Sequence, residues 1–296
     1  MPGKGEALIR VHYSTVNPYD RIMHTVNKDE GFVLGCDGCG VVEATGEGVD
    51  QSWVGKKVVF LGGGWARYAV KEVDFLVPFA DDFDLRHGAN TYVNPFTVTA
   101  MAALAEEKGA KAVILMAASS ALSKMMVRFC HQRGIEPLCV VRKAENVIDL
   151  KTNYGVKYAF DQTSPSFIAD IEAAIKETTA SVLFECVGGD LAGDIFLKMP
   201  AKSTMVVYGN LNKTRITIEP QEFHWSDKQV VGLMMYRWVC SLTLEDRSRW
   251  FKVVADDLAS GGKIFGSAIV KTVPLAEWKA AIADSEHDAS QGKYLI

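Results

Sequence analysis

The sequence predicts an α/β protein in which a doubly wound parallel sheet is inserted into a smaller, β-rich domain. Residues 1–97 contain short runs of β-favouring residues separated by Gly, Asp or Pro. From residue 98, strand-like and helix-like stretches alternate, which is typical of right-handed βαβ crossovers and a parallel sheet. Strand-like sequence returns after a pair of glycines at 261 and 262. We therefore expect one domain at 1–97 plus 264–296 and a second at 98–263.

The expected elements follow from composition and periodicity. The β-rich domain should contain strands at 7–11, 41–44, 56–60, 67–70, 75–77 and 267–270. The inserted domain should contain strands near 112–117, 137–141, 157–160, 181–186, 204–208 and 230–235. Helices are expected near 121–133, 144–154, 166–178, 190–199 and 244–260.

The composition argues against several classes of protein. With 296 residues, of which 48% are hydrophobic, the chain is long enough for one large or two ordinary globular domains. The net charge of −4 argues against a nucleic-acid or anionic-membrane partner, and no apolar run is long enough to span a bilayer. The six cysteines, mostly in apolar segments, are expected to be reduced. We expect a cytoplasmic protein, with a mitochondrial location left open because a removed presequence would leave no trace.

Residues 113–123 have the layout of a dinucleotide-binding turn without its glycines. An apolar strand runs into small residues and then into a helix with one apolar face. Ser120, Ala121 and Ser123 occupy the places where glycine normally lets the backbone bend and approach a pyrophosphate. Because serines add hydroxyl donors at a helix amino terminus, we expect phosphates to be held by Ser119, Ser120, Ala121 and Leu122. The alternative is a degenerate turn that packs the helix and binds nothing.

A basic pair, Arg142 and Lys143, follows the second strand of the predicted parallel sheet. The end of this strand reads the adenosine ribose in such folds, and a guanidinium pairs well with a phosphate. We therefore expect the pair to bind the 2′-phosphate of NADP(H). The alternative is a solvated basic strand end, and the nearby Glu145 leaves NAD open as the cofactor.

Short motifs along nearly the whole chain together resemble the medium-chain dehydrogenase/reductase superfamily. They occur at residues 16–20 (VNPYD), 35–42 (GCDGCGVV), 55–59 (GKKVV), 92–100 (YVNPFTVTA), 184–189 (FECVGG), 205–209 (MVVYG) and 292–293 (GK). The chain is most similar to the zinc-free branch of quinone oxidoreductases and enoyl thioester reductases. This resemblance implies a Rossmann domain inserted into a GroES-like domain. Members normally begin with a further strand pair, so the chain looks shortened at its amino terminus.

The same resemblance implies an NADP(H)-dependent oxidoreductase that transfers a hydride to a quinone or to the activated C=C bond of an enone or enoyl thioester. It implies that Asn94 and Thr97 lie at the nicotinamide edge and that Asn17 donates to the substrate carbonyl. For Asn17, the alternative is an Asx turn before a proline, and Asn94, which also precedes a proline, could equally belong to a turn. Further cofactor contacts are implied for Tyr208, Gly209, Asn210, Leu233, Met234, Met235 and Lys293. The Met-rich run is alternatively a core strand, and a non-catalytic NADPH-binding or protein-interaction homologue is the rival reading of the chain.

The proton donor is a point of difference from the family. Enoyl thioester reductases carry a catalytic tyrosine in the loop that matches residues 23–31, and this loop contains no tyrosine here. Tyr19 and His24 are the nearest candidate donors, with a packed aromatic residue and a surface histidine as the respective alternatives. The predicted catalytic residues are therefore Asn17, Tyr19 and Thr97.

The resemblance also bears on zinc and on assembly. Zinc alcohol dehydrogenases of the superfamily use Cys, His-Glu and Cys ligands, where this chain has Asn17 or its neighbours, Cys36-Asp37 and Asn94-Pro95. The four-cysteine structural lobe is absent, and Cys36 and Cys39 form an isolated C-x-x-C pair. We therefore predict no metal. Relatives commonly pair through an edge strand, so we expect a homodimer formed around residues 230–236, with a small carbonyl compound or quinone as substrate.

Overall fold

The computed structural model describes residues 1–27, 29, 31–288 and 290–296. The chain divides into two compact units, Met1–Phe96 with Val239–Ile296 and Thr97–Trp238. Among the described residues, no helix combines the length and the apolar character needed to cross a membrane.

The first unit begins with an antiparallel sheet of five strands in the order β4-β1-β2-β3-β5. Its elements are β1 (Glu6–Ser14), α1 (Pro18–Val26), β2 (Asp37–Thr45), β3 (Lys57–Leu61), β4 (Tyr68–Glu72), β5 (Val77–Phe79) and α2 (Leu85–Gly88). Ala7 and Ile9 alternate with more exposed neighbours along β1 and pack against Val42 and Phe60 in the core. The prediction of a β-rich first domain is confirmed, because four of its expected strands overlap β1 to β4.

The strand expected at 75–77 is wrong for two of its three residues, because only Val77 lies in a strand. Val73–Phe75 forms a single 3-10 turn, which the Leu76 N–H closes by donating to the Val73 carbonyl at 3.1 Å, and β5 begins only at Val77. The strand was expected because Phe75 and Val77 are residue types that favour strands. The local i→i+3 hydrogen bond instead satisfies this backbone.

The second unit contains a parallel sheet of six strands in the order β11-β10-β9-β6-β7-β8. The chain enters it through α3 (Val93–Glu107) and continues with β6 (Ala112–Leu115), α4 (Ala121–Arg133), β7 (Glu136–Val141), α5 (Ala144–Tyr154), β8 (Tyr158–Asp161), α6 (Phe167–Thr178), β9 (Val182–Glu185), α7 (Leu191–Lys198), β10 (Thr204–Val207), α8 (Gln221–His224) and β11 (Gln229–Gly232). The predicted doubly wound fold is confirmed. The strand order reverses between β6 and β9, and ligands of such sheets bind outside the carboxyl ends of the strands at that point.

Two elements at the borders of the second unit differ from the sequence prediction. The sequence did not predict α3, since Phe96, Met101 and other residues around its circumference are buried and leave no polar face to detect. The expected strand at 230–235 ends at Gly232, because the Leu233 N–H makes the last ladder bond to the Val207 carbonyl. Met235 already begins α9 (Met235–Ser241).

The chain then completes the first unit with α10 (Leu244–Ala259), β12 (Ile269–Thr272), α11 (Trp278–His287) and β13 (Lys293–Leu295). The domain boundary expected at residue 264 therefore differs from the division at Val239. Phe251 of α10 packs against Phe96 with ring centroids 4.9 Å apart, and the Arg247 guanidinium lies 4.2 Å from the Phe75 ring centroid. These contacts explain why α10 belongs to the first unit.

The carboxyl terminus is bound to the end of β1. Ser14 and Ile296 exchange two backbone hydrogen bonds of 2.8 Å, and the Val16 N–H donates to the Tyr294 carbonyl at 3.0 Å. This pairing brings β13, and with it Lys293, next to the start of α1.

Candidate functional site

The turn between β6 and α4 has a left-handed residue where a glycine is usually found. Ala117 has φ 48°, and its carbonyl accepts the Ser120 N–H at 3.0 Å. The Ala118 N–H donates to the Val140 carbonyl at 3.0 Å, which fixes the turn against the end of β7. The chain thus makes the tight bend of a phosphate-binding turn without glycine, at the cost of a strained alanine.

Relief of this strain gives a direct test of the turn. We expect Ala117→Gly to raise the free energy of unfolding by up to about 1 kcal/mol, because glycine adopts positive φ without a Cβ clash. Ala118→Gly is the matched control and should destabilise the protein, since Ala118 is fully buried and has no positive φ. Chemical denaturation measures both changes. An Ala117→Gly protein less stable than the wild type would contradict the assigned turn conformation.

Two serine hydroxyls of the turn, those of Ser120 and Ser123, are engaged in hydrogen bonds within the second unit. The Ser120 Oγ accepts the Ser123 N–H at 3.2 Å and donates to the Ser123 Oγ at 3.0 Å. Ser123 is fully buried, and its hydroxyl is also hydrogen-bonded to Tyr208, whose hydroxyl contacts Cys186. Burial raises the pKa of the Tyr208 phenol well above its ordinary value. Ser120, a predicted phosphate donor, thus forms a hydroxyl network with Ser123 that reaches Tyr208 beyond the end of β10.

Backbone groups of the turn are better placed to bind an anion than its hydroxyls. In the part of the chain that the structure describes, the N–H groups of Ser119, Ala121 and Leu122 have no acceptor. Two of them belong to the first turn of α4, where the helix dipole favours negative charge. All three residues are partly exposed.

The basic pair lies directly beyond the end of β7. Arg142 and Lys143 are both exposed, and the Lys143 ammonium is 3.4 Å from the Glu145 carboxylate. Arg142 forms no ion pair or hydrogen bond with any described residue. The turn is hydrogen-bonded to Val140 through the Ala118 N–H. Arg142, the first residue of the basic pair, is only two positions after Val140 in the sequence.

The carboxyl ends of β9 and β10 add groups that the sequence did not single out. Glu185 is fully buried, and one of its carboxylate oxygens accepts the N–H groups of Val187 and Gly188. Burial raises the pKa of this carboxyl group. The predicted residues Tyr208, Gly209 and Asn210 follow β10, and the Asn210 side chain accepts the Thr214 N–H at 3.2 Å.

Leu233, Met234 and Met235 lie beyond the end of β11. Met234 is 49% exposed and Met235 is the first residue of α9. The alternative interpretation of this run as a core strand is therefore wrong, since the strand has already ended at Gly232.

In the first unit, Asn17 is the centre of a buried polar cluster formed by Thr15, Asn17, Asp20, Cys36, Asp37 and Lys293, which we call the polar cluster. The Asn17 amide donates to the Thr15 Oγ1 at 2.8 Å, to the Asp37 carboxylate at 2.9 Å and to the Cys36 Sγ at 3.2 Å. Its oxygen accepts a hydrogen bond from the Lys293 ammonium. Donation to a substrate would therefore require Asn17 to exchange one of these bonds.

Two carboxylates hold the polar cluster in place. Asp37 accepts the N–H groups of Tyr92 at 3.1 Å and Val93 at 2.7 Å. Asp20 accepts the N–H of Asn17 at 2.9 Å, which is one half of a capping box at the start of α1, and that of Cys36 at 2.8 Å. The aspartate of the N-P-x-D motif therefore positions backbone rather than facing a ligand.

Burial dominates the electrostatics of the polar cluster. It raises the pKa of Asp37 to about 6, against the opposing hydrogen bond from Val93 and the positive charge of Lys293. It lowers the pKa of Lys293, while Asp37, Cys36 and Asp20 act in the opposite direction. Lys293 is thus a buried cation that balances buried carboxylates.

The other residues that the sequence predicted to lie near the nicotinamide or the substrate are distributed over both units. In the first unit, the Asn94 amide donates to the Asn90 side chain at 3.3 Å and Tyr19 is 44% exposed on α1. His24 is exposed and makes an edge contact with Trp278. Thr97 is buried and is the first residue of the second unit. Within the loop at 23–31, residues 28 and 30 lie outside the described part of the chain.

The residues at the zinc-ligand places do not match the requirements of zinc. The Cys36 Sγ accepts a hydrogen bond from the Asn17 amide at 3.2 Å, and burial raises the pKa of its thiol well above the ordinary value. The Cys39 Sγ donates to the Leu85 carbonyl at 3.1 Å. Within the described ranges, no group of three or more His, Cys, Asp or Glu residues could hold a metal. A metal-free site stays a prediction that this chemistry supports.

Comparison with known proteins agrees with this architecture. Residues 3–81 match the family "Alcohol dehydrogenase GroES-like domain". The chain is 24% identical to a mitochondrial enoyl-[acyl-carrier-protein] reductase of Xenopus tropicalis, covering all of this chain and 88% of that protein. It is also 24% identical to a quinone oxidoreductase of Sus scrofa, covering all of this chain and 90% of the relative.

Solved structures give the same result. A Mesorhizobium loti protein assigned as an NADPH:quinone reductase superimposes with a TM-score of 0.90 at 28% identity, over all of this chain and 88% of that one. An enoyl thioester reductase from Candida tropicalis, in a mutant form, shares the fold with a TM-score of 0.81 at 20% identity, over all of this chain and 91% of that one. In its amino-terminal domain, its two-sheet architecture and its relatives, the chain is similar to the quinone oxidoreductases and enoyl reductases of the medium-chain dehydrogenase/reductase superfamily.

Proposed function

We propose that the protein is a zinc-independent, NADPH-dependent oxidoreductase. Its substrate would be a quinone or a compound with an activated C=C bond, an enone or an enoyl thioester. The observation that carries this proposal is the turn at Ala117–Ser123, which has three backbone N–H groups without an acceptor among the described residues and is hydrogen-bonded to the strand that the exposed basic pair follows. The names of the relatives, quinone oxidoreductase and enoyl reductase, support the reaction class.

The residues of the second unit fit NADPH. The N–H groups of Ser119, Ala121 and Leu122 would hold the pyrophosphate, and Arg142 with Lys143 would hold the 2′-phosphate. Thr97, Gly209, Asn210 and the segment Leu233–Met235 would contact the nicotinamide half. When bound, NADPH supplies the hydride that the substrate accepts.

Reduction of the substrate needs hydrogen-bond donors to its carbonyl group and a source of a proton. Asn17 would donate to the substrate carbonyl after giving up one of its partners in the polar cluster. Tyr19 is the candidate proton donor that we favour, because its side chain is 44% exposed and its hydroxyl makes no hydrogen bond with the described residues. We further propose a cytoplasmic protein that dimerises through β11, an edge strand with Val230 40% exposed.

Replacement of Arg142 tests the cofactor assignment. We expect Arg142→Ala to weaken NADPH binding about 10- to 100-fold and to leave NADH binding unchanged, because one charge-assisted phosphate contact is lost. Arg133→Ala is the matched control, since Arg133 pairs with Glu106 at the far end of α4. Fluorescence titration measures both affinities, and equal effects on NADPH and NADH would contradict the assignment.

Turnover assays separate the proposal from its rival. We expect NADPH consumption with at least one member of a panel of enones, enoyl thioesters and quinones. NADPH binding without consumption across that panel would favour a non-catalytic homologue. Absence of binding would rule out both readings.

A further inference from the structure

Lys71 is a half-buried cation without a compensating carboxylate. It lies on the edge strand β4, on the same face of the sheet as the buried Ala69. Burial lowers its pKa, and no neighbouring charge opposes this shift. With the described residues, its ammonium forms neither an ion pair nor a hydrogen bond, and its only aromatic contact is the Phe60 ring at 5.8 Å. Such a charge costs free energy that the fold alone does not recover.

The ammonium borders a space left open by glycines. Gly62 and Gly63 have φ 76° and 69°, and a Cβ on them would lie 3.9 and 3.7 Å from the Lys71 Nζ. The same Cβ on Gly63 would also be 4.0 Å from Val33. We call the surface formed by Val33, Gly62, Gly63 and Lys71 the glycine notch. Within the described part of the chain, the Gly63 N–H has no acceptor, so the notch offers a charge and a backbone donor.

The glycine notch adjoins the polar cluster within the first unit. The Gly62 N–H donates to the Cys36 carbonyl at 2.9 Å, and the Gly64 N–H donates to the Gly35 carbonyl at 2.9 Å. Cys36 in turn contacts Asn17 at 3.2 Å. The notch and Asn17 are therefore linked through a single residue, Cys36, whose carbonyl contacts Gly62 and whose thiol contacts Asn17.

We propose that the glycine notch binds an anionic group of the substrate, a carboxylate or a phosphate, through the Lys71 ammonium and the Gly63 N–H. This inference rests on the proposed function and narrows it to acidic α,β-unsaturated carbonyl compounds. The uncompensated charge is the reason: a cation kept partly out of water without a partner is typical of a binding site.

Two fumarate esters that differ by one charge test the notch. Monomethyl fumarate carries a carboxylate, whereas dimethyl fumarate is neutral, and both contain an activated C=C bond. We expect the wild type to prefer the monoester, and Lys71→Gln to reduce that preference about tenfold through KM rather than kcat. Lys71→Arg should retain the preference. Lys56→Gln is the matched control and should change nothing, because Lys56 is also half-buried over an aromatic ring, that of Trp53 at 4.9 Å.

A binding measurement separates this inference from the proposed function. Calorimetry with monomethyl succinate, which cannot be reduced, should show binding to the wild type and loss of binding in Lys71→Gln, whose Tm should equal or exceed that of the wild type. Equal losses for both fumarates, or the same effect from Lys56→Gln, would overturn the notch. If the wild type reduces dimethyl fumarate but does not bind monomethyl succinate, the proposed function is supported and the proposed anion site is contradicted. If the wild type binds monomethyl succinate but reduces neither fumarate ester, the proposed anion site is supported and the proposed function is contradicted.

Discussion

Replacing Lys228 by methionine should lower the free energy of unfolding by about 3–5 kcal/mol, because it leaves a buried carboxylate without a partner. Lys228 and Glu222 are an ion pair with side chains only 2% and 8% exposed. The ammonium also donates to the carbonyls of Phe196 at 2.7 Å and Leu197 at 3.3 Å, near the carboxyl end of α7. Lys228→Met thus removes the donor for three acceptors at once.

Companion variants separate charge from packing at this pair. Glu222→Gln keeps an oxygen acceptor for the ammonium and should cost about 1–2 kcal/mol. A double variant with Glu222→Leu and Lys228→Met should be more stable than Lys228→Met alone, since it buries no unpaired charge. Lys252→Met is the surface control, because the Lys252–Asp256 pair is 75% and 64% exposed. If chemical denaturation showed that Lys228→Met and Lys252→Met have the same free energy of unfolding, the buried ion pair would not contribute to stability as we expect.

The sequence was most informative where local periodicity reflects local packing. Helices α4 and α5 coincide with the ranges expected from their apolar faces, 121–133 and 144–154. The failures have tertiary causes. Helix α3 is buried around most of its circumference, so it lacks the amphipathic pattern. The strand expected at 230–235 is shorter because β10, the strand beside it in the sheet, pairs with it only as far as Gly232.

In the candidate site, too, the sequence predicted local features but not contacts between distant residues. Motifs located the turn at Ala117–Ser123 and the basic pair, because both are contiguous in sequence. No sequence pattern showed that Lys293 binds Asn17, 276 positions away, or that Ser123 is bonded to Tyr208. These contacts depend on which strand ends the fold brings together. They decide which donors are already occupied, and therefore which groups of the turn and of the polar cluster can meet a ligand.

The second large effect is expected in the polar cluster. Lys293→Met should lower the free energy of unfolding by about 3–5 kcal/mol at neutral pH, because Asn17 loses the donor to its oxygen and Asp37 loses the positive charge that favours its ionised form. Lys271→Met, on the exposed part of β12, is the control and should leave stability unchanged. Denaturation of both variants beside the wild type measures the difference.

The pH dependence of this difference separates loss of charge from loss of packing. The folded-state pKa of Asp37 is raised from 3.8 to about 6, so the wild type loses stability as the pH rises between these two values. Removal of the Lys293 charge raises this pKa further, so Lys293→Met continues to lose stability above pH 6. The gap between the two proteins should therefore widen from pH 6 to pH 8. A gap that is constant over this range would mean that Lys293 acts through packing alone and that the positive charge does not hold Asp37 ionised.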